Sequence, residues 1–324
     1  MGNDVNRREA MFRLAKLCGI AAVTAGAYGA SAGRSPVAAR PEPNKKTAQF
    51  RINDAPNLLV VAKARGKYEV ETLVRKALEP WGGMGRFIKR GDVVAVKPNL
   101  SWDRPPELAA NTNPAVLAAL VKMCQEAGAA KVNIVDHTIN DARRCFASTG
   151  AEAAARATGA HLIHPSSHLF KNMNLEGRRL GEWAVFTPVL EADKLINAPV
   201  AKSHGLSLVT LGMKNWLGAV GGSRGALHQD IHQSIADLAA FFQPTLTVLD
   251  ATRVMLANGP SGGRLADVAA KDTIIAGQDQ VAVDAAALPL FGLVPEQIGF
   301  LLLGQEQGLG RLAPAPGQRL DVMA

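Results

Sequence analysis

Val93-Val94-Ala95-Val96-Lys97-Pro98-Asn99-Leu100 and, after an intervening helix, Val132-Asn133-Ile134-Val135-Asp136-His137 decide the fold of this chain. Each is a short apolar run that breaks off on polar residues. Residues 114–127 between them open with Pro114 and stop just before Gly128, the asymmetry of a helix with proline in its first turn and glycine past its end. A continuous apolar run, rather than a strict alternation, marks a strand buried on both faces, and strands separated by helices build a parallel sheet. The same alternation runs outward in both directions. Strand-like runs occupy residues 58–62, 161–163, 183–186, 194–198, 245–249 and 273–276, and helical spacing occupies 69–78, 151–158, 231–242 and 281–288. The expected fold class is α/β, a mainly parallel sheet with helices on both faces, built as a single domain over residues 58–310. Residues 41–57 read as a linker and 311–324 as a C-terminal tail.

The first forty residues have a different character. Arg7-Arg8, Arg13 and Lys16 make a basic start, followed by an uncharged Ala/Gly-rich stretch and the small-residue triplets Ala30-Ser31-Ala32 and Val37-Ala38-Ala39. Such a segment is an export signal that is too short and too weakly apolar to span a membrane, so no stable transmembrane span is expected after cleavage. The arginine pair followed by Phe12 resembles a twin-arginine signal. It implies passage through the twin-arginine export machinery and a periplasmic or otherwise exported protein.

Composition removes several classes of function. The chain of 324 residues carries a formal charge of +8, yet residues 41–324 hold 30 basic and 26 acidic residues with no basic run. Aromatic residues are only 5%, so neither an electrostatic footprint nor a stacking platform for nucleic acid is present. Cys124 and Cys145 lack any Cys-x-x-Cys partner, which argues against a cysteine-ligated iron–sulfur cluster or zinc ribbon. A disulfide between them and a pair of buried thiols remain equal readings. No Gly-x-Gly-x-x-Gly follows the first strand and no Gly-x-Ser-x-Gly elbow occurs.

The polar residues collect at strand ends. The runs close on Lys97-Pro98-Asn99, Asp136-His137, Asn197 and Asp250. In an open parallel sheet ligands bind outside the carboxyl ends of the strands, so parallel strands would place all four on one rim. The run from Pro199 to Gly218 adds Lys202, His204, Lys214 and Asn215 among small and apolar residues. Buried cations need an anion or acidic neighbours. Asp284 lies in a helix that is otherwise apolar and needs a cation, a metal or hydrogen-bond donors, whereas Asp279 sits where a helix N-cap belongs. His228 and His232, at i and i+4 with Asp230 between them, form a weak candidate for a divalent metal, set against the plainer reading of a helix start. The glycines of residues 258–263 can turn N–H groups toward an anion.

Taken in order, Val96-Lys97-Pro98-Asn99-Leu100, Asn113-Pro114, Lys202-Ser203-His204, Met213-Lys214-Asn215-Trp216-Leu217-Gly218, Leu249-Asp250-Ala251, Gly259-Pro260-Ser261-Gly262 and Val281-Ala282-Val283-Asp284 resemble the domain-of-unknown-function 362 family. Some relatives carry an appended ferredoxin-like cluster domain. This chain has no cysteine quartet to match it, so an iron–sulfur label does not transfer.

The functional expectation is an exported enzyme acting on a small anionic molecule, a carboxylate or a phosphate. His204, Lys202 and Lys214 are the candidate catalytic residues, with His204 the proton-transfer group because its ordinary pKa is nearest neutrality. Lys97, Asn99, Asn215, Asp136, Asp250 and Asp284 are the candidate ligand-binding residues, the two last to tune the lysines or hold a cation. The alternative is a non-catalytic ligand- or metallocofactor-binding protein of the cell envelope.

Overall fold

In the computed structural model, which describes residues 49–324, the strands are β1 (Leu59–Lys63), β2 (Val93–Pro98), β3 (Lys131–Val135), β4 (His161–Ile163), β5 (Phe170–Asn174), β6 (Glu182–Phe186), β7 (Lys194–Ala198), β8 (Val200–His204), β9 (Leu208–Thr210), β10 (Leu246–Met255), β11 (Val268–Gly277) and β12 (Arg319–Met323). The main sheet runs β12-β1-β11-β10-β7-β2-β3-β4, with β8 joined to β10 and β9 to β8, while β5 and β6 pair separately. β10, β7, β2, β3 and β4 are mutually parallel, and β11 lies antiparallel between β1 and β10. The mainly parallel α/β architecture read from the sequence is the one observed.

The principal helices are α1 (Val70–Leu78), α2 (Pro114–Glu126), α3 (Ala142–Ser148), α4 (Ala151–Thr158), α5 (Ile231–Phe241), α6 (Gln280–Ala287) and α7 (Gly299–Glu306). They divide between the two faces. Val94, Val96, Ile134 and Ile196 pack with α1 and α2, whereas Ala95, Val135, Leu195 and Leu249 pack with Trp216, Phe242 and helices α5 to α7. Successive strand residues thus enter opposite cores, as the period of two requires. Pro114 opens α2 behind Asn113, whose side chain accepts from Ala115 N. Asp279 caps α6 as its position suggested, accepting from Val281 N and Ala282 N.

Several features differ from the expectations. The tail read over 311–324 instead supplies β12, which runs parallel to β1 at the sheet edge. The linker read over 41–57 is ordered in its described part, where Gln49 bridges to Gln243 and Phe50 N donates to the Gln243 carbonyl. β8 and β9 form a hairpin, adding two strands to those read from the sequence. β11 reverses direction because it follows β10 directly as an antiparallel neighbour, needing no crossover helix. Cys124 and Cys145 are separate buried thiols. The export signal, read over 1–40, lies outside the described residues.

Candidate functional site

The chain lays β3 and β4 on one side of β2, then returns to place β7 on the other. The order of strands reverses between β2 and β7, which opens a crevice at their carboxyl ends. Lys97 and Asn197 face each other across this point in register. Lys97 Nζ pairs with Asp136 Oδ1 at 2.6 Å and donates to the Pro98 carbonyl at 2.9 Å and Asn215 Oδ1 at 3.1 Å. The second oxygen of Asp136 accepts from Leu100 N at 2.7 Å. Both side chains are fully enclosed. Burial pulls the Lys97 ammonium below the ordinary lysine range, and the Asp136 carboxylate opposes that pull. Asn215 closes the network through Asn197 Oδ1 at 2.8 Å and Asn99 Nδ2 at 3.3 Å.

Gly218 makes this arrangement possible. A Cβ there would stand 2.1 Å from Asp136 Oδ1 and 2.7 Å from Lys97 Nζ, far inside van der Waals contact. The short helix Met213–Ala219, which carries Lys214 and Asn215, therefore passes directly over the ion pair.

Beyond the pair, the balance of charge changes. Lys202, on β8, donates to the Ala110 carbonyl and to Asn99 Oδ1 at 3.2 Å, and among the described residues it forms no ion pair with a carboxylate. Burial first, then Lys214, lowers its pKa to about 7. Lys214 is 6% exposed and has no hydrogen-bond or ion-pair partner among the described residues. Burial lowers it to about 8. Burial is the first cause of lowering in Lys202, His204, His228 and His232, and the Lys214 ammonium lowers each of them further.

His204 occupies the end of β8, half-buried, with its ring 6.2 Å from that of His228. Its Nδ1 accepts from Leu206 N at 3.1 Å and Ser207 N at 3.3 Å. The neutral ring then carries its proton on Nε2, a donor directed away from its own turn. Burial, then Lys214, His228 and Lys202, lowers its pKa to about 3. At neutral pH His204 is an uncharged N–H donor and a very weak base.

Two carboxylates expected beside the lysines are committed elsewhere. Asp284 accepts from Gly212 N at 2.6 Å and Met213 N at 2.9 Å, so it caps the turn that presents Lys214. Burial raises its pKa to about 7 against the pull of those two donors. Asp250 accepts from Asn113 N at 2.8 Å, Thr252 N at 3.0 Å and Thr252 Oγ1 at 2.7 Å, tying the start of α2 to β10. Backbone N–H groups and the Thr252 hydroxyl, in place of lysines or a cation, are their partners.

The trio His228, Asp230 and His232 does not assemble. Asp230 caps α5 through Gln233 N, His232 Nδ1 accepts from Phe300 N, and His228 Nδ1 lies 3.3 Å from the Arg224 carbonyl. No group of three metal-binding side chains occurs among the described residues. The glycine-rich loop commits Gly259 N to Ser203 Oγ at 3.1 Å.

One cation escaped the sequence reading. Arg224, half-buried, donates to the His137 carbonyl at 2.7 Å and the Thr138 carbonyl at 2.6 Å. Among the described residues its hydrogen bonds go to these two carbonyls, so a third positive group joins the rim without a paired carboxylate. Its place in the polar stretch 221–230 gave no apolar context to single it out. A cavity of about 780 Å³ lies at the opposite, amino-end edge around Arg51, Leu59, Asp279 and Arg311. None of its charged side chains is fully buried, so its electrostatics resemble ordinary surface.

A family model described as "Domain of unknown function (DUF362)" matches residues 94–289, more than half of the chain. The thylakoid-associated protein sll1697 of Synechocystis sp. is 29% identical over 259 residues, which cover 76% of this chain and 78% of that protein. Among solved structures, a Thermotoga maritima protein superposes with a TM-score of 0.40 and 10% identity, over 71% of this chain and 61% of that one. The lactate racemase apoprotein of Thermoanaerobacterium thermosaccharolyticum superposes with a TM-score of 0.39 and 14% identity, over 71% and 55% respectively. The chain spans less than two thirds of either solved structure.

Proposed function

The chain belongs to the DUF362 family, and we propose that it is an exported enzyme that binds a small anion, a carboxylate or a phosphate, between Lys202, Lys214 and His204. One observation carries the reading. Lys202 and Lys214 are 1% and 6% exposed, and the nearby buried carboxylate, Asp136, is already taken by Lys97 and Leu100 N. Buried cations without counter-charges are costly, and an anionic ligand supplies what the protein omits. His204 Nε2–H offers an uncharged third donor. Asn99 and Asn215 hold the floor of the site, and Lys97 with Asp136 braces it from beneath.

An enzyme is favoured over a passive binder by the titration of the two lysines. Groups moved to about 7 and about 8 carry and release protons near neutrality, the condition for general acid–base work. Lys202 and Lys214 are thus the proton-transfer groups, and His204 the donor that orients the ligand. Thermal unfolding of the purified protein against a panel of small carboxylates and phosphates tests the binding. The expected result is stabilisation by one class of anion, lost in Lys202→Met and Lys214→Met. Unchanged responses in both variants would refute the assignment.

Export rests on the arginine pair and small-residue sites of residues 1–40. Fractionation of the host followed by N-terminal sequencing should find a mature chain beginning after Ala32 or Ala39 outside the cytoplasm. An intact N-terminus in the cytoplasmic fraction would overturn it.

A further inference from the structure

The cavity at the amino-end edge of the sheet is walled by contacts that engage its acceptors and leave its donors over. It measures about 780 Å³ and lies between the start of β1, the N-terminus of α6, the end of α7 and the segment 308–318 that leads into β12. Gly310 lets that segment lie against the cap of α6, since a Cβ there would fall far inside van der Waals contact with Asp279 Oδ1. Arg311 N then donates to Asp279 Oδ2 at 2.9 Å, while Oδ1 accepts from Val281 N and Ala282 N. Leu312 N donates to Gln305 Oε1 at 3.0 Å, and Ala315 N to Gln318 Oε1 at 3.1 Å. Each of these oxygens is thus held by the backbone that forms the wall. Gln305 Nε2, Gln318 Nε2 and the guanidinium groups of Arg51 and Arg311 have no hydrogen-bond or ion-pair partner among the described residues. Both arginines are exposed, so charge alone does not mark the place. The mark is one-sidedness: donors from separate segments meet at one cavity whose own carboxylate, Asp279, is already engaged by backbone N–H groups.

The remaining lining is apolar. Leu59, Ala282 and Leu309 belong to the core behind the cavity, and Leu58, Leu312 and Pro314 are half-buried beside them. A bare inorganic ion would leave that surface in water, whereas an apolar body laid on it gains by its burial. The volume is that of a site for a molecule of tens of atoms. We propose that this cavity is a second binding site, separate from the carboxyl-end rim, for a small amphiphilic anion. Its carboxylate or phosphate head is held by Arg51 and Arg311, and its apolar body lies on Leu59, Leu309 and Leu312. A guanidinium presents paired N–H groups that match two oxygens of either head. Gln305 and Gln318 donate to the head's other oxygens through their free amide N–H groups. None of these residues belongs to the set of Lys202, Lys214 and His204, so the two sites stand or fall separately.

Isothermal titration calorimetry of the full-length protein with decanoate and with decyl phosphate, both kept below micelle formation, tests the site. Decanol and inorganic phosphate serve as controls. At least one amphiphile should bind saturably, one molecule per chain, and the tighter of the two identifies the head. Arg51→Gln and Arg311→Gln, exposed positions checked for folding by circular dichroism, should each weaken it about 10-fold or more. Lys214→Met should bind as the wild type does. Hydrogen exchange should slow over residues 308–318 when the amphiphile is present. Binding that both arginine variants retain, or protection over residues 202–215 instead, overturns the site. Decanol binding as tightly as the anions overturns the charged head, and inorganic phosphate binding as tightly as decyl phosphate overturns the apolar body. Failure of both amphiphiles to bind refutes the proposal and leaves the rim untouched.

Discussion

Replacing Lys214 by methionine should stabilise the ligand-free protein, and replacing Lys97 by methionine should do the reverse. Both lysines are buried, but among the described residues only Lys97 has a carboxylate partner. Folding moves Lys214 from 10.5 to about 8, which corresponds to about 3 kcal/mol lost by keeping the amine protonated in the interior. Below about pH 8 the folded and unfolded chains both carry that proton, so the whole cost is present. Between about pH 8 and 10.5 the folded amine is neutral while the unfolded one is still charged, and the cost fades as pH rises. Methionine fills a similar volume without charge. Lys214→Met should therefore gain about 1–3 kcal/mol near pH 6.5 and almost nothing near pH 10.5. Lys97→Met instead strands Asp136 with Leu100 N as its remaining donor, at a cost of about 3–5 kcal/mol. Urea unfolding followed by circular dichroism at both pH values measures the difference. Lys214→Met destabilising the protein as much as Lys97→Met, or showing the same effect at both pH values, would refute the reasoning.

Gly218→Ala drives a methyl group into the Lys97–Asp136 pair and should cost about 3–5 kcal/mol, while Gly181→Ala, with nothing within 4 Å, should stay within about 0.5 kcal/mol of wild type; equal urea midpoints for the two would contradict the packing. Asp284→Ala leaves Gly212 N and Met213 N unpaired and should lose about 2–4 kcal/mol in the same assay, with weaker anion binding because the turn bearing Lys214 loosens; an unaltered stability would remove Asp284 from that role. Anion affinity should be greatest below about pH 7 and fall as pH rises through the free-protein values of about 7 for Lys202 and about 8 for Lys214. Calorimetry in buffers of different ionisation enthalpy should detect proton uptake on binding in that range, and proton release would reverse the sign of the account. His232→Ala should leave the stability unchanged by added divalent metal, as in the wild type, since His228, Asp230 and His232 point to separate partners; a metal-dependent rise in Tm that this substitution removes would restore the chelate.

The sheet and its rim were legible because apolar runs end on polar residues for a physical reason. β2, β3, β7 and β10 are largely buried on both faces, so their sequences read as continuous apolar segments, and Lys97, Asp136 and Asn197 stand where the apolar runs end while remaining buried themselves. The partners of those residues were not legible. Asp284 and Asp250 look like counter-charges for lysines until the folded chain shows that backbone N–H groups reach them first. A capping interaction across 72 residues leaves no periodic trace in a sequence. His204 read as a base from its ordinary pKa alone, whereas burial first, then the neighbouring Lys214, together with two backbone donors to Nδ1, make it a neutral donor. β12 and the β8–β9 hairpin escaped for want of a long apolar run, since both are short, and the residues of β12 are partly exposed.

Lys202, Lys214 and His204 are proposed to enclose an anion that no carboxylate among the described residues replaces. Crystals soaked in bromide and measured at the bromine absorption edge locate such an ion directly. The account predicts an anomalous peak within hydrogen-bond distance of Lys214 Nζ and His204 Nε2, absent from Lys214→Met crystals treated alike. A wild-type map with no peak there, or with the Lys214 ammonium turned onto a carboxylate of the protein, would contradict it.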